Sequence, residues 1–208
     1  MNLGILGGTF DPIHYAHLFI AEEARVRFDL DRVVFVVNAL PPHKQTYPVT
    51  NASHRFRMTE LAIASNPAFE CSRIEIDRPG PSYTVDTLTE LQRQHPSADL
   101  FFITGLDTLL ELPTWHRPDE VIRLTRFIVA ERPGYAWDPG EQDLPSELID
   151  RVLPLSTTHL EISSTDIRRR VRVGLPIRYL TPDSVTDYVS LHGLYSNHKE
   201  SPGQSVKR

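Results

Sequence analysis

The feature that most constrains the fold is a regular alternation of short apolar runs with segments whose apolar residues recur at helical spacing. The apolar runs predict strands at Asn2–Gly7, Arg32–Ala39, Phe69–Asp77, Leu100–Thr104 and Arg126–Ala130. Helical spacing predicts helices between them, at Leu18–Phe28, His54–Ser65 and Tyr83–Gln94. Strands separated by helices favour right-handed crossovers, so we expect an α/β, doubly wound parallel sheet. Ligands of such sheets bind at the carboxyl ends of the strands.

Two further short helices are predicted to close the domain. The first starts near Ser163 and stops before Gly174. The second has Thr181 as its cap and Pro182 at its first helical position, with Gly193 just beyond its end.

These elements predict a single Rossmann-like domain over residues 1–196, with a small C-terminal helical subdomain at about 163–196. Residues 132–143 have a turn-rich composition, which predicts a loop. The tail, residues 197–208, is polar, and we expect it to be disordered.

The composition of the 208-residue chain excludes several classes of protein. Lys and Arg total 22 against 27 Asp and Glu, and this net charge of −5 argues against nucleic-acid binding but not against a small anionic substrate. No apolar run reaches the roughly eighteen residues of a membrane span. The N-terminus opens on an apolar run without a basic region, so we expect a cytoplasmic protein without a signal peptide. The single cysteine, Cys71, excludes an internal disulfide and is expected in the core.

The segment from Gly7 to His17 carries the strongest functional signal. Gly7 and Gly8 follow a buried strand, where paired glycines let the backbone approach a ligand and expose its N–H groups. A plain glycine turn between strand and helix is the alternative interpretation. The segment matches neither the dinucleotide fingerprint G-x-G-x-x-G nor the phosphate-binding P-loop.

His14 and His17 are three residues apart at the entry to a helix, which places both on one helix face. Two imidazoles beside the free N–H groups of a helix N-terminus suit phosphate oxygens. A zinc site would need further ligands, which are not evident nearby, and a purely structural histidine pair stays open. Asp11 could serve as a helix cap.

Ser163-Ser164-Thr165-Asp166 begins a predicted helix and has two interpretations. Ser163 and Asp166 fit a capping box, which alone would explain the residues. Hydroxyls, free N–H groups and Arg168 would also converge on this helix end, where an anion is favoured.

Several motifs together resemble one family. Gly-Gly-Thr-Phe-Asp-Pro-x-His-x-x-His at 7–17 looks like the fingerprint of nucleotidyltransferases with an HxGH-type motif, and the chain resembles bacterial nicotinate-nucleotide adenylyltransferases within that superfamily. Further matching segments follow in family order at 41–44, 82–88, 105–107, 115 and 162–168. Ala16 departs from the family pattern, in which glycine is common before the second histidine.

The resemblance implies an enzyme that transfers the adenylyl group of ATP to nicotinate mononucleotide and releases pyrophosphate, in NAD biosynthesis. His14 and His17 would be its catalytic residues. It implies ATP contacts from Gly7, Gly8, Phe10, His17, Gly105, Asp107, Ile162, Ser163, Ser164, Thr165 and Arg168. It implies mononucleotide contacts from Thr9, Lys44, Tyr83, Thr84 and Trp115, although Trp115 could equally be a core residue.

We expect Mg²⁺ to bridge the phosphates of ATP without a dedicated carboxylate cage in the protein. The sequence does not decide whether the protein forms a homo-oligomer. Two alternatives also stay open: a phosphopantetheine adenylyltransferase-like enzyme and a non-catalytic nucleotide-sensing module.

Overall fold

The computed structural model describes residues 1–39, 49–131, 137–138, 140 and 144–196. Within these ranges the strands are β1 Asn2–Gly8, β2 Arg32–Val37, β3 Phe69–Ser72, β4 Asp99–Gly105, β5 Arg126–Ala130 and β6 Val152–Leu155. They form one parallel sheet in the order β3-β2-β1-β4-β5-β6. This confirms the expected doubly wound α/β fold, whose strand order reverses direction between β1 and β4.

Helices connect the strands and close the domain. They are α1 Tyr15–Arg27, α2 Ala52–Ile63, α3 Thr84–Gln94, α4 Leu106–Leu110, α5 Pro118–Leu124, α6 Ser146–Ile149, α7 Ser164–Arg172 and α8 Asp183–Leu191, with a 3₁₀ turn at Leu112–Thr114. Among the described residues, no helix is both long and apolar enough to cross a membrane.

The two faces of the sheet bury separate hydrophobic clusters. Along β2, Val33, Phe35 and Val37 pack into one cluster, whereas Val34 and Val36 pack into the other. Both faces are covered, and this explains why the central strands have continuous apolar sequences instead of alternating ones.

Some predicted boundaries were wrong. The third strand ends at Ser72, because residues 73–77 form a turn in which the Asp77 amide donates to the carbonyl oxygen of Arg73. The sixth strand was missed because it has only four residues and contains Pro154, which is tolerated there since β6 lies at the sheet edge. The short helices α4, α5 and α6 were also missed.

The start of the last helix needs a second correction. Thr181 is not its cap: α8 begins at Asp183 and its N-cap is Pro182. Gly193 lies just past the end, with a φ of 58°, as the sequence predicted. The Thr181 side chain is fully buried and donates instead to a distant carbonyl group.

A cleft opens where β1 and β4 separate. Leu6 opposite Ile103 is the last pair between the two strands. Beyond it, the end of β1 pairs only with β2, and the end of β4 pairs with β5. The expected ligand site at the switch point of the sheet therefore exists as an opening in the structure.

The first loop, residues 9–13, follows β1 at this cleft and is held by side chains from distant elements. Its carbonyl oxygens accept hydrogen bonds from Arg55 at Thr9 (2.7 Å), Arg168 at Asp11 (2.7 Å), Ser164 at Pro12 (2.8 Å) and Thr181 at Ile13 (2.8 Å). Buried carbonyl groups without partners are costly, so these donors fix the path of the chain into α1.

Asp11 is not a helix cap, because the N-cap of α1 is His14. The carboxylate of Asp11 is buried and accepts hydrogen bonds from the Thr50 amide (3.2 Å) and the Tyr195 hydroxyl (2.7 Å). Burial and the neighbouring Asp11 charge raise the pKa of Tyr195, which therefore stays protonated as the donor.

Thr181→Val should lower the free energy of unfolding by about 1–3 kcal/mol, because it leaves the Ile13 carbonyl without its buried donor. Urea unfolding would measure this. Thr186→Val is a matched control, since the hydroxyl of Thr186 is buried without a hydrogen-bond partner among the described residues. A loss of stability as large in Thr186→Val as in Thr181→Val would contradict the account.

Candidate active site

Two adjoining cavities lie at the carboxyl ends of the strands. The histidine cavity has a volume of about 470 Å³ and is lined by residues that include His14, His17, Gly105, Asp107, Ile162, Ser163 and Ser164. The aromatic cavity has a volume of about 420 Å³ and is lined by residues that include Glu75, Ser82, Tyr83, Thr84, Trp115 and His116. Gly7, Phe102 and Thr108 line both, so the two cavities meet at the cleft between β1 and β4.

The two histidines form a stacked pair at the amino end of α1. Their ring centroids are 3.7 Å apart, and His14 is the N-cap residue of the helix. The backbone amide of His14 donates to Nδ1 of His17 at 3.2 Å. A neutral His17 must therefore carry its proton on Nε2, which makes that nitrogen a hydrogen-bond donor.

Burial keeps both imidazoles neutral. It lowers the pKa of His14 to about 4, and together with the nearby His14 charge it lowers the pKa of His17 well below its ordinary value. Nδ1 of His14 is buried and has no hydrogen-bond partner among the described residues. At neutral pH the pair thus offers polar N–H groups instead of fixed positive charges, and an arriving anion would favour protonation.

The amino end of α7 forms another wall of the histidine cavity. The Ser163 hydroxyl accepts a hydrogen bond from the Asp166 amide (3.2 Å), which is the cap predicted from the sequence. The Asp166 carboxylate turns away and pairs with Arg169. Ile162, Ser163 and Ser164 line the cavity, so three residues expected at ATP lie beside the histidines.

Arg168 and Thr165 belong to the same helix, α7. Arg168 is buried, and its guanidinium donates to the carbonyl oxygen of Asp11 and to the Thr165 hydroxyl (3.2 Å). Neither residue is among those that line the histidine cavity. The structure therefore gives Arg168 a part in holding the first loop, and a direct contact with ATP stays a prediction.

Phe10 and Gly8 pack against each other behind the histidines. Phe10 is only 2% exposed, has a φ of 47° and meets the His17 ring edge-on at 5.1 Å. A Cβ on Gly8 would lie 2.8 Å from this ring, so the packing alone requires glycine there. Gly7 faces the cavities, whereas Thr9 does not line either of them.

Gly105 and Asp107 follow β4 on the opposite side of the cleft. Both line the histidine cavity, and Gly105 is the N-cap of α4. A Cβ on Gly105 would lie 2.6 Å from the Asp107 carboxylate, so glycine leaves room for that side chain. The proposed contact of Asp107 with a ribose stays a prediction.

The aromatic cavity has rings on one side and polar groups on the other. Trp115 meets the Phe102 ring edge-on at 6.0 Å, and the rings of Tyr83 and His116 are 4.3 Å apart. The hydroxyl of Ser82 is buried and has no hydrogen-bond partner in the described ranges. Trp115 thus packs on the core and also faces the cavity, which satisfies both interpretations of it.

Sequence reasoning missed several residues of this cavity. Ser82 belongs to the matching segment 82–88 but was not singled out as a site residue, and His116 is the direct neighbour of the predicted Trp115. Asn38 and Glu75 come from the ends of the second and third strand predictions, where they were interpreted as strand residues. Lys44, with the segment 41–44 that contains it, lies outside the described residues.

The described residues give little support to nucleophilic catalysis by the cysteine or to a metal site built from protein side chains. Burial and the nearby Glu60 charge raise the pKa of Cys71 to about 12, so its thiol is a poor nucleophile. In the ranges that the structure describes, no group of three or more His, Cys, Asp or Glu side chains could hold a metal ion.

The fold agrees with comparisons to known proteins. A family model described as cytidylyltransferase-like matches residues 5–170, which include both histidines and most of α7. This chain is therefore a member of the cytidylyltransferase-like class of proteins. Two structures of nicotinic acid mononucleotide adenylyltransferase from Plasmodium falciparum, complexed with APC and with NaAD, share this fold. Their TM-scores are 0.71 and 0.70 at 20% and 21% identity, over 93% of this chain and 96% and 97% of those chains.

Curated relatives narrow the family. A probable nicotinate-nucleotide adenylyltransferase of Moorella thermoacetica is 51% identical over 93% of this chain and 91% of the relative. Another, from an Arthrobacter species, is 46% identical over 97% of this chain and 94% of the relative. The chain belongs to the nicotinate-nucleotide adenylyltransferase family, and this confirms the resemblance found in its motifs.

Acidification should destabilise the fold through His14. The pKa of His14 is about 4 in the folded protein and about 6.5 in the unfolded chain, so between these values the unfolded chain binds the proton more tightly. The free energy of unfolding is therefore unaffected by His14 above pH 6.5 and falls as the pH is lowered towards 4. Relative to His14→Gln, the wild-type protein should lose up to about 3 kcal/mol of unfolding free energy over this window. Urea unfolding at a series of pH values measures the difference.

His159→Gln serves as the control for this experiment, because His159 is exposed. Its unfolding free energy should follow the wild-type curve across the same pH window. Parallel curves for the wild type and His14→Gln would show that the burial of His14 has no such effect.

Proposed function

We propose that this chain transfers the adenylyl group of ATP to nicotinate mononucleotide, giving nicotinate adenine dinucleotide and pyrophosphate. The observation that carries the proposal is the meeting of the histidine and aromatic cavities at Gly7, Phe102 and Thr108. Two substrates bound there would have their reacting phosphates at the shared boundary. The family membership favours this activity over a phosphopantetheine adenylyltransferase-like enzyme or a nucleotide sensor.

ATP is assigned to the histidine cavity. Nε2 of His17 is a donor fixed in place by the His14 backbone, and the amino end of α7 adds N–H groups and the partial positive charge of a helix N-terminus. These groups suit the triphosphate, while Gly105 and Asp107 across the cleft suit the ribose. ATP contacts are also proposed for Gly8, Phe10, Thr165 and Arg168, which do not line the cavity as the structure has it.

The mononucleotide is assigned to the aromatic cavity. Trp115 and Tyr83 supply flat surfaces for the pyridine ring. Thr84 begins α3, so the first N–H groups of that helix lie beside the unpartnered Ser82 hydroxyl. Donors of this kind favour a ring carboxylate over a carboxamide. Thr9 and Lys44 are proposed at the phosphate of the acceptor.

The reaction needs positioning more than it needs a base. The second pKa of a phosphate monoester is about 6, so the attacking phosphate is mostly a dianion at neutral pH. One of its oxygens forms a bond to the α-phosphorus of ATP, and the bond from that phosphorus to the bridging oxygen of pyrophosphate breaks. His17 and His14 stabilise the charge on the transferred group through their N–H donors, and no covalent enzyme intermediate forms.

Mg²⁺ fits this scheme as a partner of the nucleotide. The described residues offer no carboxylate cage, so we propose that the ion is held mainly by ATP phosphates and water. Bound in this way, it neutralises part of the phosphate charge. We also propose a cytoplasmic location, where ATP is available, and no nucleic-acid partner, in keeping with the net charge of −5.

Pyrophosphate release tests the proposed activity. Purified protein with ATP and Mg²⁺ is offered nicotinate mononucleotide, nicotinamide mononucleotide and phosphopantetheine in separate reactions. We expect the fastest release with nicotinate mononucleotide. Release with phosphopantetheine alone, or with none of the three, would overturn the proposal.

His17→Ala should lower kcat by about 100- to 1000-fold, the usual cost of removing one donor that stabilises a transition state. Circular dichroism should show an unchanged fold, because the core around α1 is kept. His95→Gln, at the far end of α3, is the matched control and should keep normal turnover. Normal turnover in His17→Ala would contradict the proposed mechanism.

A further inference from the structure

The aromatic cavity contains a buried carboxyl group that the proposed mechanism does not use. Glu75 is 8% exposed and lines the cavity. The Thr87 hydroxyl donates to its carboxyl oxygen at 2.9 Å, and Arg78 donates to the Thr87 oxygen at 3.1 Å. The three side chains thus form a hydrogen-bonded chain from the protein surface to the cavity wall.

These hydrogen bonds reach the amino end of α3, which is the end proposed to contact the mononucleotide. Thr87 lies in the first turn of the helix, three residues after Thr84. The Glu75 carboxyl and the donors proposed for the ring carboxylate therefore belong to the same small region. An anionic ring substituent would enter a cavity that already contains an acidic side chain.

The charges around Glu75 decide which form it takes. Burial raises the pKa of the Glu75 carboxyl, and the Thr87 hydrogen bond and the Arg78 charge oppose this with smaller effects. Glu111, His116 and Tyr83 are the other titratable groups that line the cavity in the described residues. A second carboxylate brought into the cavity disfavours ionisation further, as two carboxylates that share a site cannot both ionise easily.

We propose that Glu75 is a specificity-determining residue that must be protonated when a mononucleotide with a ring carboxylate occupies the aromatic cavity. The proton comes from solvent, stays on the Glu75 carboxyl and is released when the ligand leaves. A mononucleotide with a ring carboxamide binds with Glu75 in either form. This inference rests on the proposed function, because it assigns the pyridine ring to this cavity.

The pH dependence follows with a definite sign. As the pH rises, Glu75 ionises, and affinity for the acid ligand falls by up to about tenfold per pH unit. Affinity for the amide ligand does not depend on Glu75 in this way. Both ligands carry the same phosphate, so its titration cancels in the ratio of their dissociation constants.

Titration calorimetry tests the inference without requiring turnover. Nicotinate and nicotinamide mononucleotide are each bound to the wild-type protein at about pH 6 and at about pH 8.5. The ratio of the acid Kd to the amide Kd should rise at least about fivefold between these pH values. In Glu75→Gln, which keeps an oxygen to accept from Thr87, the ratio should stay constant.

Two further variants separate Glu75 from its neighbours. Thr87→Val removes a donor that favours the ionised form, so the rise in the ratio should move to higher pH. His116→Gln removes one of the other titratable groups that line the cavity, and it should keep the rise seen in the wild type.

The inference is overturned if the wild-type ratio is constant, or if Glu75→Gln keeps the rise. It is also overturned if His116→Gln abolishes the rise, since the histidine would then be the titrating group. The pyrophosphate assay keeps the two proposals apart. Release with nicotinate mononucleotide together with a constant ratio would remove only the role of Glu75.

Discussion

The structure of the site depends on how the carbonyl groups of the first loop are satisfied. Residues 9–13 turn away from the sheet where they have no strand partner, and their carbonyl oxygens accept from side chains of α2, α7 and the segment before α8. Two of the four bonds come from α7, one comes from α2 and one from Thr181, so the loop is joined to three distant parts of the chain. The position of the histidine pair is therefore a property of the whole domain instead of a property of its local sequence.

This arrangement explains why the histidines are neutral. The loop places both rings against the core, where Phe10 and the stacking of the two rings exclude water. The desolvation cost of a charged imidazole therefore lowers the pKa of the pair. A neutral pair with fixed N–H directions can stabilise charge that develops during reaction without first being reorganised. The same burial would make a charged pair costly in the absence of nucleotide.

Local signals in the sequence predicted what local interactions build. His14 and His17 are three residues apart and meet on one helix, and Ser163 caps α7 as its sequence indicated. Arg168 could not be placed in this way, because its partner Asp11 is 157 residues away. The segment 73–77 shows a subtler failure. In a continued strand Ile74 and Ile76 would lie on the same face of the sheet. They pack instead into the two opposite clusters, because their backbone forms a turn.

That turn also explains the chemistry of the aromatic cavity. Had β3 continued through Glu75, the side chain would have been one of an alternating row on the sheet. The turn brings its carboxyl to Thr87 at the first turn of α3 instead, beside the residues that line the aromatic cavity. In the proposed complex, a ring carboxylate would bring a second acidic group into the cavity that Glu75 lines. Protonation of Glu75 would remove the repulsion between the two carboxylates, so the turn after β3 would set the charge of the proposed binding site.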